Sequence, residues 1–294
     1  MPSLDLLVQA GSVGILTGGV YALLASGLTL IFGVMKIVHI SHAAFIVLAA
    51  YLTYFISRDL GIDPLLTVVI TAPLFFVLGM LVQRLLLSRL KENSTMMSVL
   101  LTFAIAIVIE GGLGLLWTSS HRSINVSYGE QAVNLGDVRL PVDRILGFLL
   151  AAATLAMLFA LLRYSRYGQA LRATIQHPAA ARLIGVDAQT ISAVGFGLGL
   201  ATAAVGGAIL AILIPFFPAT HYAWIGRLMA IIVLGGLGSV GGAAIAAVAM
   251  GVIESLVLVS MDATWASMIF FIVLFLTLAL RPQGLFGGRL AERF

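Results

Sequence analysis

Long apolar runs, each about as long as a helix that crosses a bilayer, recur along the chain and alternate with short polar segments. A spanning helix needs about 20 mostly apolar residues. The pattern predicts such helices at residues 11–35, 38–57, 65–87, 98–117, 145–162, 191–217 and 264–280. The chain therefore alternates between crossing and turning over most of its length.

The apolar stretch 225–259 is too long for one span and is interrupted by the sequence Gly-Gly-Leu-Gly-Ser at 235–239. We interpret it as two helices that turn near these glycines. The prediction is then about nine membrane segments, or eight if the glycine-broken region does not cross fully. The fold class is an all-α polytopic transmembrane helical bundle, formed as a single domain over residues 1–294.

Composition supports a membrane location. The chain is 61% hydrophobic and 10% charged, with a mean hydropathy of +1.12, whereas an average soluble domain carries about 25% charged residues. Too little polar material is present to cover a soluble core, so the outer surface must face lipid. The chain has no cysteine, which excludes disulfides and thiolate sites from this chain.

The basic residues are unevenly divided between the two sides of this topology, which explains the net charge of +4 without nucleic-acid binding. The larger group of eleven comprises Lys36, Arg84, Arg89, Lys91, Arg163, Arg166, Arg172, Arg182, Arg281, Arg289 and Arg293, and the other five are Arg58, Arg122, Arg139, Arg144 and Arg227. The positive-inside rule places the larger group in the cytoplasm. The N-terminus is then periplasmic and the C-terminus cytoplasmic, with Trp117, Trp224 and Trp265 at the outer boundary.

Two long connections stand out. The outer loop, residues 118–144, contains an alternating piece at 133–140 that predicts a short hairpin strand, and the loop is either a docking surface for an external partner or a plain connection. The inner loop, residues 163–190, has helix-forming composition and a glycine break at Gly185.

Catalytic motifs are missing from the sequence. It has no G-x-x-x-x-G-K-[ST] phosphate loop, no H-E-x-x-H and no G-x-S-x-G, so we expect no catalytic residue, no metal site and no cofactor in this chain. The ionisable residues predicted within spans are His39, His42, Glu110 and Glu254. Such groups are costly in a bilayer and are candidates for function. His42, Glu110 and Glu254 are therefore candidates for a translocation pathway, with structural pairing in the bundle as the alternative.

Four blocks of sequence carry a resemblance to a known family: YALLASGLTLIFGVMKIVHISHAAFIVLAAYLTY at 21–54, RYSRYGQALRATIQHPAAARLIGV at 163–186, LGGLGSVGGAAIAAVAMGVIES at 234–255 and RPQGLFG at 281–287. They resemble LivH-type permeases, the membrane subunits of high-affinity branched-chain amino acid ABC importers. The blocks occur in the family's order and spread over nearly the whole chain.

The resemblance implies a permease in a bacterial inner membrane that does not itself hydrolyse ATP. Its implied partners are a second, LivM-like permease, two cytoplasmic ATP-binding subunits that hold ATP and Mg²⁺, and a periplasmic substrate-binding protein. The implied cargo is leucine, isoleucine or valine, and the path would run between the two permeases.

The resemblance also implies that loop 163–190 is the coupling segment that contacts an ATPase. In the importer motif E-A-A-x-x-x-G a glycine ends a short helix. Ala180, Ala181 and Gly185 match this motif, whereas Ala179 occupies the glutamate position. The charges left for contact with the ATPase are Arg172 and Arg182, unless these arginines serve only to set the topology.

Other functions stay open at this point. After His42 the chain has Ala43-Ala44 where the family commonly shows Gly-Glu, so urea, short amides and aromatic or other carboxylic acids are alternative substrates. An ion-coupled secondary transporter is an alternative of another class, for which Glu110 beside Gly111-Gly112 is the hint. A membrane enzyme lacks support because no acid–base or nucleophilic constellation is present.

Overall fold

The computed structural model describes residues 3–90, 95–136, 138–281 and 283–286. Its helices are α1 (Leu4–Met35), α2 (His42–Leu60), α3 (Val68–Leu85), α4 (Thr95–Trp117), α5 (Val142–Tyr164), α6 (Arg166–Gln176), α7 (Pro178–Leu183), α8 (Ala188–Leu213), α9 (His221–Gly235), α10 (Val240–Ser260) and α11 (Ala263–Leu280). Short 3-10 turns lie at Leu87–Arg89 and Pro218–Thr220.

A β-hairpin lies between α4 and α5. Strands β1 (Ala132–Leu135) and β2 (Val138–Pro141) pair antiparallel, with Val133 opposite Leu140. The alternation at 133–140 predicted a short hairpin strand, and the structure instead divides this stretch into two paired strands, β1 and β2. We call this end of the bundle the hairpin end, and the opposite end, which carries α6 and α7, the α6–α7 end.

Eight helices in the described residues are long and apolar enough to cross a membrane: α1 to α5, α8, α10 and α11. The glycine-rich stretch divides as predicted, with α9 ending at Gly235 and α10 beginning at Val240. Helix α9 has 15 residues and is about 22 Å long, which is short of the roughly 30 Å hydrocarbon core. Eight, the lower of the two predicted counts, is therefore the number of full-length spans in the described residues.

Helix α9 begins inside the bundle, so the short helix still completes a passage. His221, its first residue, contacts Glu110, which precedes the α4 end at Trp117 by seven residues or about 10 Å. The other end of α9 lies at the α6–α7 end, where Leu234 accepts a backbone bond from Leu285. Residues 214–235 thus make one passage, and the described chain traverses the bundle nine times.

The span predicted at 191–217 ends earlier, at Leu213. Proline at 215 has no N–H to continue the helical ladder. The chain becomes extended there, and Phe216 exchanges two backbone hydrogen bonds of 2.8 Å with Arg122 of the loop after α4. This bridge fixes the loop over the end of α8.

Helices α1 and α8 form the centre of the bundle. In the most apolar 18-residue stretch of each helix, 78% of the residues are buried, against 17% in the corresponding stretches of α4 and α11. Close approach depends on small residues: a Cβ on Gly18 of α1 would lie 2.6 Å from the Cα of Val248 in α10. Small residues of this kind permit tight packing between membrane helices, where no hydrophobic force drives association.

Candidate functional site

A cavity of about 250 Å³ opens at the hairpin end between α1, α5, α8, α9, α10 and α11. Its polar border includes Tyr21, Arg144, Arg227 and Glu254. We call it the hairpin-end cavity. The structure thus places Glu254, predicted as a pathway residue, on a cavity wall.

Glu254 is at the centre of a bonded cluster. Its Oε1 lies 3.1 Å from Nη1 of Arg227, and its Oε2 accepts a 2.6 Å hydrogen bond from the Tyr21 hydroxyl. The side chains of Arg227 and Glu254 are 21% and 13% exposed, so the pair is largely shielded. Arg227 also lies over the rings of Trp224 and Phe270, 5.4 and 5.3 Å from their centroids. The cluster ties α9 to α1, α10 and α11.

Arg227 was predicted on the outer side, and the structure places it within α9, where it lines the hairpin-end cavity. Trp224 was predicted at the outer boundary but is 4% exposed and packs edge-on against Tyr21. Hydropathy places a residue along the chain, whereas only the packing of α9 shows that both side chains point inward. An arginine within an apolar stretch was the available signal.

The second acid, Glu110, pairs with the start of α9. Its Oε2 lies 3.1 Å from Nε2 of His221 and accepts a 2.9 Å hydrogen bond from the Tyr222 hydroxyl. His221 is 3% exposed, but the Glu110 side chain is 26% exposed. Sequence reasoning missed both partners, which lie more than 100 positions away. Glu110 borders neither of the two cavities described here.

Replacing Glu110 by leucine is expected to lower the stability of the protein by about 1–3 kcal/mol, because His221 and Tyr222 lose their acceptor at membrane depth. Glutamine should retain most of the stability, since its carbonyl can still accept. Thermal unfolding in detergent measures the effect, with Val108→Leu on the exposed face of α4 as the control. A Glu110→Leu midpoint equal to that of the control would contradict this structural role.

His42 lies in the interior between α1 and α2. It is fully buried, and its Nε2 lies 3.2 Å from the carbonyl oxygen of Leu24. Its ring is 5.7 Å from that of His39, which is also buried. His42 lines neither cavity, so the structure does not bring it together with Glu110 or Glu254.

A larger cavity, of about 830 Å³, opens at the α6–α7 end between α1, α5, α6 and the start of α10. We call it the α6-end cavity. Its walls are mostly apolar, and Lys36, Arg163 and Arg172 contribute positive charge. Helices α1, α5 and α10 border both cavities, at opposite ends. Buried side chains of these helices, including Leu24, Ala151 and Met250, fill the space between them.

The predicted coupling segment forms α6 and α7 at the end of α5. Arg172 donates to the carbonyl oxygens of Leu162 and Arg163, so it satisfies the last turn of α5. Gly185 has φ +85°, and the N–H of Val186 bonds to the carbonyl of Ala181 at 3.0 Å. This is the Schellman turn that ends a helix at glycine, as the motif predicted.

The remaining coupling candidates are also placed. Ala181 is buried and Ala180 is exposed, and Leu183 and Ile184 are 90% and 76% exposed. Arg182 lies within α7, but its side chain is outside the described residues, as are Lys91, Arg289 and Arg293. The α6–α7 end therefore exposes two apolar side chains, those of Leu183 and Ile184, beside the turn at Gly185.

A bundle of apolar helices that carries a cavity at each end and a largely shielded ion pair between two of its helices has the architecture of a polytopic membrane permease. Residues 12–278 match the family described as the permease component of the branched-chain amino acid transport system. The chain belongs to this family, which confirms the resemblance seen in its sequence blocks.

Several curated proteins are similar over all or nearly all of their length. The high-affinity branched-chain amino acid transport system permease protein LivH of Salmonella typhimurium is 24% identical over 299 residues, covering 95% of both chains. BraD of Pseudomonas aeruginosa, which carries the same description, is 24% identical over 308 residues and all of both chains. A probable LivH of Methanocaldococcus jannaschii is 25% identical over 300 residues, covering 96% of this chain and 95% of its own. No solved structure matches the chain.

Proposed function

We propose that this chain is a permease subunit of an ATP-driven importer that moves leucine, isoleucine or valine delivered by a periplasmic binding protein. The observation that carries the proposal is the family match over residues 12–278, together with relatives of the same description that cover the whole chain. The chain is then a multi-pass inner-membrane protein.

The hairpin end would face the periplasm and the α6–α7 end the cytoplasm. Helix α1 begins beside the hairpin, where the backbone N–H of Arg139 donates to the Gln9 side chain, and the chain after α11 reaches Leu234 at the other end. The described basic residues of the larger group, such as Arg84 and Arg163, lie at that second end. This arrangement agrees with the positive-inside rule.

Two cytoplasmic ATP-binding subunits would supply ATP and Mg²⁺ binding, and one of them would dock on α7. Exposed Leu183 and Ile184 offer an apolar contact. Through the bonds of Arg172 to the end of α5, movement of α6 and α7 would pass to a helix that borders both cavities.

The face formed by α4 and the start of α9 fits the second permease. Tyr222 is 51% exposed beside Glu110, and polar groups at membrane depth are costly against lipid. Apart from the neighbouring backbone of α4 itself, no atom of the described residues lies within 4 Å of a Cβ built on Gly111 or Gly112. A helix of a partner subunit would fit there and shield the acid.

The test is ATP hydrolysis by the complex in nanodiscs, with the companion permease, the ATP-binding subunits and the cognate binding protein. Leucine, isoleucine or valine on the binding protein should raise the rate several-fold. Stimulation by urea, amides or aromatic acids instead would keep the family and replace the substrate. If no ATP-binding subunit associates, the importer proposal fails, and transport by this chain alone in ATP-free liposomes would support an ion-coupled mechanism.

A further inference from the structure

The hairpin-end cavity contains more charged groups than one ion pair between two helices requires. Glu254 supplies one carboxylate, and two guanidinium groups, those of Arg227 and Arg144, border the same space. An ion pair alone would use one acid and one base. The cavity therefore carries one positive charge beyond its internal pair.

The acidic side of the cavity is fixed in place. Glu254 is held by Arg227 at 3.1 Å and by the Tyr21 hydroxyl at 2.6 Å, and Tyr21 is 5% exposed. A carboxylate has about four lone-pair sites, so these two contacts leave capacity for a further donor from the cavity. An ammonium group is a donor of matching charge.

The basic side is less constrained. The contact that the structure gives to the Arg144 guanidinium is a 2.7 Å hydrogen bond from Nη1 to the Thr17 hydroxyl, which is a neutral partner. A guanidinium has five N–H donors in a planar fork that matches a carboxylate. The Arg144 guanidinium therefore has donors available to bind an anion at the cavity border.

The rest of the wall is aliphatic. Val20, Leu210, Leu213, Ile214 and Leu258 line the space. Its volume of about 250 Å³ lies just below the range of pockets that hold drug-sized ligands, roughly 300–1,000 Å³. One small molecule with a short aliphatic side chain matches this size and lining.

We infer that the hairpin-end cavity binds a zwitterionic aliphatic amino acid, its ammonium group on Glu254 and Tyr21, its carboxylate on Arg144, and its side chain on the wall of Leu213, Ile214 and Leu258. This inference rests on the proposed function and assigns to this chain a substrate site within one subunit. Each charged group of the ligand then meets a side chain of opposite sign, while the net charge of the cavity stays at one positive charge, as it is without the ligand.

The missing native cysteines make a direct assay possible. Ser255 lines the cavity, and Ser255→Cys is a small change that a methanethiosulfonate reagent would modify. The full importer complex in nanodiscs is treated with the reagent at increasing leucine, without binding protein, and modification of this chain is followed by intact mass. Ser119→Cys, exposed at the same end outside the cavity, is the matched control.

Leucine should protect Ser255→Cys and leave Ser119→Cys unprotected. Isoamylamine, which lacks the carboxylate, and 4-methylpentanoate, which lacks the ammonium group, should each need at least about tenfold higher concentration, because each loses a charge-assisted bond. Arg144→Gln should raise the leucine requirement about tenfold and leave that of isoamylamine unchanged. Glu254→Gln should raise the leucine requirement about tenfold and leave that of 4-methylpentanoate unchanged.

Protection that is absent up to the solubility limit of leucine, or equal for leucine and both analogues, would overturn the inference. So would an Arg144→Gln variant with the wild-type ratio of leucine to isoamylamine. If Glu254→Gln does not fold, Leu213→Trp replaces it: filling the cavity should abolish protection, and Leu149→Trp on the exposed face of α5 should not. If the complex imports leucine but fails these tests, the proposed function stands and only the proposed binding site is rejected.

Discussion

Replacing Gly18 by leucine is expected to remove most of the folded protein from the membrane fraction. A Cβ at this position would lie 2.6 Å from the Cα of Val248 and 3.0 Å from two backbone oxygens of α10. These neighbours are backbone atoms, which cannot move aside by changing rotamer. Overpacking a core commonly lowers folding stability by about 1–3 kcal/mol. A clash with rigid backbone atoms should cost at least as much as the upper end of this range.

Gly11→Leu is the matched control, because Gly11 lies in the same helix and, apart from the neighbouring helix backbone, no atom of the described residues is within 4 Å of a Cβ built there. Leucine also has a better helix propensity than glycine by about 0.5–1 kcal/mol, so this variant should be as stable as wild type or slightly more stable. Size-exclusion profiles and thermal midpoints in detergent measure both variants. Equal midpoints would mean that α1 and α10 are not in close contact.

The contact is reciprocal, which offers an independent check. A Cβ on Gly251 of α10 would lie 2.5 Å from the Cα of Gly18. Gly251→Leu is therefore expected to fail in the same way. The double variant should be no worse than the more damaging single one if both break the same contact.

Replacing Gly185 by tryptophan is expected to reduce substrate-stimulated ATP hydrolysis at least about tenfold while leaving the chain folded, provided that the proposed importer is correct. The residue has φ +85°, a conformation that costs an ordinary residue roughly 1–2 kcal/mol. Tryptophan would relax the turn and change the direction of α7 relative to α8. Leu183 and Ile184, the exposed contacts, would move with it.

Gly61→Trp is the control for backbone strain. Gly61 follows α2 with φ +66°, and a Cβ there, as at Gly185, meets no atom of the described residues within 4 Å beyond its own chain neighbours. The two variants carry the same type of strain, but only Gly185 lies in the α6–α7 segment. Gly61→Trp should keep the stimulated rate. Full stimulation in an assembled Gly185→Trp complex would contradict the coupling role.

Local features of the chain were predictable from the sequence. Apolar length identified the spans, alternation identified β structure at 133–140, and the motif around Gly185 predicted a helix that ends at glycine. Each of these depends on neighbours a few positions apart, because bilayer thickness, strand pleat and helix capping act on consecutive residues. The family resemblance also followed from local blocks in order.

Tertiary structure decided how the polar groups pair. Glu254 and Glu110 were both identified as candidates, but their partners, Tyr21 with Arg227 and His221 with Tyr222, come from distant helices. The start of α9 inside the bundle was equally hidden, because it depends on the bridge between Phe216 and Arg122. Hydropathy measures how well a segment tolerates lipid, whereas pairing depends on which helix faces meet. The sequence thus determined a multi-span permease, and only the packing of its helices created the two cavities and placed charge at their walls.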